Sequence, residues 1–189
     1  MDPLDLTQRT GLPEALRVLL ADYPREGWQA DPNFRGLVEF WLDRHLMFRK
    51  LLGLMQTETA LLLDRQSDPA QFAKHLSHYG SKFVGDLHGH HQIEDQHYFP
   101  LLATKDARII KGFDILDHDH HALDGLLDGF VKGANAMFQR LDDREALQTS
   151  AGRFSTDLNR LERLIDRHLN DEEDLIVPVI LRHGAGSLG

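Results

Sequence analysis

Between residues 33 and 183, apolar residues recur at alternating steps of three and four, interrupted by only three short polar breaks. That periodicity constrains the chain more than any other feature, since a stripe kept to one side of a 3.6-residue turn is an amphipathic helix. No stretch alternates with the period of two that a strand requires. The breaks are "RQSDP" at 65–69, "TKDAR" at 104–108 and "DDREALQTSAG" at 142–152. They predict four helices over 33–64, 69–103, 107–141 and 152–183, each about 45–50 Å long. A shorter amphipathic segment opens at Pro13 and ends before Pro24. The expected class is all-α: an up-down-up-down four-helix bundle over 33–183, with an N-terminal extension carrying a short helix over 1–32 and a tail over 184–189.

Histidine and glutamate interrupt the apolar stripes. His45 follows Trp41 and precedes Phe48; His90, Glu94 and His97 continue the run from Phe83 and Leu87. His120 lies between Leu116 and Leu123, and His168 with Glu172 between Ile165 and Leu175. A buried imidazole or carboxylate must be hydrogen-bonded or metal-bound. One core histidine is usually structural, but here every predicted helix carries one.

Counting along antiparallel helices tests whether they meet. His45 and His90 lie 22 and 23 residues from Ser67; His120 and His168 each lie 24 from Arg144, and His90 and His120 each lie 15 from Lys105. All four return to one layer of the core. Glu94 stands four after His90 and Glu172 four after His168, one turn along the same face. The two halves look like an internal repeat, with 45 residues from His45 to His90 and 48 from His120 to His168.

Four imidazoles and two carboxylates around one point suit a transition metal such as Fe, Zn, Cu or Ni. They are more than one ion needs, and two metals spanned by Glu94 and Glu172 are the economical arrangement. Cysteine is absent from all 189 residues, which excludes disulfides, thiolate metal sites and cysteine nucleophiles. The net charge of −9 argues against nucleic acid, whose phosphates require a basic face. No window reaches membrane-spanning length and no basic leader opens the chain, so a soluble, cytoplasmic protein is expected.

At these motifs the chain resembles the hemerythrin-like, or HHE cation-binding, family: "DRHLMFRKL" around His45, "HHQIEDQHYFP" around His90, "LDHDHHALDGLL" around His120 and "HLNDEEDLIVP" around His168. The resemblance covers about 33–183. It implies a four-helix bundle enclosing two non-haem irons, oxo- or hydroxo-bridged, held by His45, His90, Glu94, His120, His168 and Glu172. Asp124, His97 and Glu173 stand as further candidate ligands. The implied small ligand is dioxygen, peroxide or nitric oxide. Asp124 stands where oxygen-carrying relatives have a second histidine, and four imidazoles with four carboxylate oxygens fill about eight of roughly twelve octahedral positions. Open positions favour consumption of peroxide or nitric oxide over reversible carriage. Asp86, Asp117, Asp124 or backbone carbonyls are the expected acceptors for the outer imidazole nitrogens. A second reading is an iron- or oxygen-sensing module, docking a protein partner through its N-terminal segment around Trp28.

Overall fold

The computed structural model describes residues 4–187, and every regular element among them is helical. Residues 1–3 and 188–189, at the ends of the expected extension and tail, lie outside the described residues. A 3-10 turn at Glu14–Leu16 leads to α1 (Val18–Asp22), and a second at Arg25–Ala30 precedes the long elements. These are α2 (Glu39–Leu63), α3 (Pro69–Ile93), α4 (Phe99–Ala103), α5 (Ile110–Phe138) and α6 (Arg144–His183). None of these helices is long and apolar enough to cross a membrane. The chain forms two compact units, one holding the residues up to Leu46, His90–Ala122 and those from Ile165 on, the other Met47–Gly89 and Leu123–Leu164.

The second unit is regular helix around an aromatic file. Phe48 meets Phe83 at 6.3 Å, Phe83 meets Phe130 at 6.3 Å and Phe130 meets Phe154 at 5.4 Å between ring centroids. Gly80 and Gly133 let the rings in, since a Cβ on either would stand 3.2 Å from Phe130 or Phe154 respectively. The break at 65–69 works as its residues dictate. Arg65 takes a left-handed conformation that ends α2. Asp68 then accepts from the amides of Ala70 and Gln71, and Pro69 fills the first helical position, where no amide is needed. The break expected over 142–152 is largely helix instead. Asp143 caps it by accepting from Ala146 N–H at 3.0 Å, and Leu147 and Ala151 are buried one turn apart below Phe154. Between them Gln148 is half-buried and donates to the Leu62 carbonyl at 2.7 Å, while Thr149 is exposed on the first turns of α6.

Backbone irregularity gathers in the first unit. The first long helix, expected from residue 33, begins at Glu39, because residues 34–38 are broken at Arg35 and Gly36. Gly36 sits at φ +91° and ψ −107°, a conformation open only to glycine. Between α3 and α4 the residues Glu94–Tyr98 form a π turn, in which Phe99 N–H reaches the Glu94 carbonyl five residues back. Pro100 lacks an amide and its ring excludes the carbonyl four residues earlier, so the helix widens there. Leu12, Leu19 and Trp28 share one core with Val38, Trp41, Phe99, Ile176 and Ile180. This covers α6 on a second side, which accounts for its burial nearly all round from Asp171 to Leu181.

Two variants test these points. Gly36→Ala places a side chain in a strained backbone and should cost about 1–3 kcal/mol in urea unfolding. Asp106 caps the 3-10 turn leading into α5 by accepting from Arg108 N–H, and Asp106→Ala should cost about 1 kcal/mol. Its hydrogen bonds with Arg108 lower its pKa to about 2. The contribution is therefore full above the ordinary carboxylate value near 3.8 and should disappear as pH falls through about 2, measured as the wild-type minus variant difference.

Candidate metal centre

Seven buried side chains of the first unit converge: His45 from α2, His90 and His91 from the end of α3, Glu94 from the start of the π turn, His120 from α5, and His168 and Glu172 from α6. The imidazoles meet through their Nε2 atoms, His45 to His90 at 3.2 Å and His120 to His168 at 3.1 Å. One ligand atom from each of His45, His90, Glu94 and Glu172 falls within 4.8 Å of the others, and so does one from each of His91, His120 and His168.

The glutamates join the two groups. Glu94 lies 3.1 Å from His90 Nε2 through Oε1 and 3.6 Å from His120 Nε2 through Oε2. Glu172 lies 3.4 Å from His45 Nε2 through Oε2, and its Oε1 is 3.4 Å from His120 Nε2 and 3.1 Å from His168 Nε2. None of the four carboxylate oxygens has a hydrogen-bond partner, and neither has either nitrogen of His91. Burial of this kind without hydrogen bonds costs several kcal/mol and fits a cation as the shared partner.

Burial and mutual charge shift the titration of these groups in opposite directions. Burial, with the facing Glu172, holds Glu94 protonated well above the usual carboxylate range. Burial opposes ionisation of Glu172 too, but His168, His120 and His45 bring it well below that range. Burial takes His90 down to about 3 and lowers His91 well below the ordinary imidazole value. For His168 burial is overcome by Glu172 and Asp119, raising it to about 9; for His120 it is overcome by Asp95 and Glu172.

Outer nitrogens find acids that sequence reasoning did not choose. His45 Nδ1 meets Glu173 at 3.0 Å, His120 Nδ1 meets Asp95 at 2.7 Å and His168 Nδ1 meets Asp119 at 3.2 Å. Of the acids expected there, Asp86 pairs with Lys82 at 2.7 Å, Asp117 is exposed, and Asp124 is exposed 3.9 Å from His88. Asp124 is thus outside the cluster as a ligand as well. His97, the other extra candidate, is exposed: the residue added by the π turn moves the inward positions after Glu94 from 97 and 101 to Phe99 and Leu102. Glu173 is buried at the site but turns to His45 Nδ1 and Arg25. His91, not among the expected ligands, is 3% exposed and stacks on His120 with centroids 4.0 Å apart. The signal for it is its spacing: His90, His91 and Glu94, at steps of one and four, lie within about 100° of one another on a regular helix.

Five imidazoles and two carboxylates form a nitrogen-rich donor set of the kind transition metals take, and they define a helical metal-binding domain. The chain belongs to the hemerythrin family, described as the hemerythrin HHE cation binding domain, whose model matches residues 36–180. No curated protein and no solved structure matches the chain.

The two glutamates should behave differently in metal-stripped protein. Glu94→Gln replaces a protonated acid by its neutral isostere and should change unfolding free energy by no more than about 1 kcal/mol. Glu172→Gln leaves the buried imidazoles of His168 and His120 with only their outer acids, Asp119 and Asp95, as counter-charge and should cost clearly more, about 2–3 kcal/mol. Equal losses in denaturant titrations would contradict the assignment.

Proposed function

We propose that the chain is a non-haem di-iron protein, an up-down-up-down four-helix bundle that binds or reacts with dioxygen, peroxide or nitric oxide. The observation that carries this reading is the position of the two glutamates, each with one oxygen toward the His45 and His90 pair and the other toward His120. In this reading His45 and His90 would hold one iron and His91, His120 and His168 the other, with Glu94 and Glu172 as carboxylate donors between the two groups. When bound, the iron pair supplies one-electron redox change and exchangeable positions for a small oxygen or nitrogen species.

The protein's own part is to orient donors and exclude water. Glu173, Asp95 and Asp119 accept from the outer nitrogens, so that each Nε2 lone pair faces inward. Trp41 stands edge-on to His90 and Phe99 stacks on His120, closing the cluster with apolar rings. His90, 8% exposed against 0–3% for the other four imidazoles, is the least enclosed, which makes its edge the entry for a small ligand. The His45 and His90 pair, with fewer imidazole donors than the group of three, would leave a metal more positions for such a ligand. Iron sensing is the second reading, favoured by the contacts of Arg9 and Arg25 from the N-terminal segment with acids of the site.

Metal analysis with an optical spectrum tests the proposal. Two irons per chain with the near-ultraviolet charge-transfer absorption of a coupled pair are expected; one zinc, or no uptake on reconstitution, would sink it. Glu94→Ala and Glu172→Ala should abolish stoichiometric uptake, His91→Ala should shift the spectrum, and His88→Ala and His118→Ala should do neither. Peroxide decay with and without loaded protein then separates consumption from binding, while a sharp rise of Tm with iron and no turnover favours sensing.

A further inference from the structure

Two arginines from the segment before residue 33 end on the acids that orient the histidines. Arg9 is 2% exposed at its side chain. Its guanidinium holds both oxygens of Asp119, one through Nη1 at 2.8 Å and the other through Nη2, while Nε donates to Asp171 at 2.8 Å and Nη1 also to the Leu4 carbonyl at 2.9 Å. Asp119 Oδ2 is the atom facing His168 Nδ1. Arg25 repeats the pattern: Nη1 donates to Glu173 Oε2 at 2.7 Å, Nε to Asp174 at 2.8 Å and Nη2 to the Asn170 carbonyl at 3.1 Å. The other oxygen of Glu173 faces His45 Nδ1.

A buried guanidinium is a costly way to add stability, because apolar packing at the same place serves as well or better. Its planar fork does something packing cannot: gripping both oxygens of Asp119 stops the carboxylate from rotating away from His168. The two chains Arg9–Asp119–His168 and Arg25–Glu173–His45 end on opposite imidazole groups. One N-terminal segment therefore reaches both halves of the cluster.

We propose that Arg9 and Arg25 are positioning residues through which the N-terminal segment sets the affinity and reduction potential of the metal pair; this rests on the di-iron reading above. Each arginine withdraws charge from the acid it holds. The acid then pulls less on the imidazole N–H, and the imidazole donates less electron density through Nε2. Loss of either arginine leaves the site more negative and its imidazoles more electron-rich, and both effects favour ferric over ferrous iron.

The test uses the full chain loaded with iron. Arg9→Gln and Arg25→Gln should each lower the reduction potential, shift the charge-transfer band and release ferric iron to a chelator about 10-fold more slowly. Arg9→Lys, which keeps the charge and loses the fork, should fall between wild type and Arg9→Gln. Combined with Asp119→Asn, Arg9→Gln should add little, since both act along one chain. Lys82→Gln removes the same charge from a pair with Asp86 one turn away on α3 and should change none of these readouts. Should buried Arg9 prove necessary for folding, Arg25, 40% exposed at its side chain, still gives the answer. A wild-type potential, spectrum and release rate in both glutamine variants, with only Tm reduced, would make the arginines structural and overturn the inference. A wild-type chain that takes up no iron pair would instead overturn the di-iron reading on which it stands.

Discussion

The first unit depends on the placement of two carboxylates, Glu94 and Glu172, fully buried and facing one another among imidazoles. Like charges at such range cannot both ionise in a low dielectric, so without a cation one is held protonated and the other takes the positive charge of His168 and His120. The same constraint dictates what surrounds them. Each of the four helical segments passing the site must bring a polar ligand inward at one level. The remaining inward positions must be large and apolar, as Trp41, Leu116, Phe99 and Ile176 are.

The outer acids follow a rule that links sequence to architecture. Asp95 follows Glu94, Asp119 precedes His120, and Glu173 follows Glu172. Each is the chain neighbour of an inward ligand, rotated about 100° from it on its helix, and therefore faces the next helix. Asp95 serves His120 of α5, Asp119 of α5 serves His168 of α6, and Glu173 of α6 serves His45 of α2. A ligand and its neighbour are thus a two-residue device, one pointing in and one pointing across.

This explains how much was legible in the sequence. The helices, the six ligand candidates and the level at which they meet follow from a period of 3.6 and from chain counts, which need no side-chain detail. The first turns of α6 were hidden because an acidic cap and a polar outer face resemble a loop when only Leu147 and Ala151 point inward. His97 falls inward only if an unbroken α-helix runs past Glu94, and the π turn breaks that helix. Asp86, Asp117 and Asp124 lie about one turn from His90 or His120 on the same helix, whereas the acids that act adjoin one ligand in the chain and serve the histidine of a different helix.

The two units then divide the labour in physical terms. In the second, regular helices and a file of phenylalanines meet the demands of packing alone, and glycines at 80 and 133 adjust how closely the rings approach. In the first, His90, His91 and Glu94 share one side of a regular helix, but that helix would carry Phe99, five residues past Glu94, about 140° away from Glu94 and off the core. The extra residue of the π turn absorbs that mismatch, and Pro100 makes it the preferred local state by removing the amide that would restore the α pattern. Buried charge is offset in the same unit by the N-terminal segment, whose Leu12, Leu19 and Trp28 add apolar burial while Arg9 and Arg25 neutralise the acids beneath them. The segment that stabilises the fold is therefore the one best placed to act on the chemistry of the site, since its apolar residues hold in position the two cations that the outer acids face.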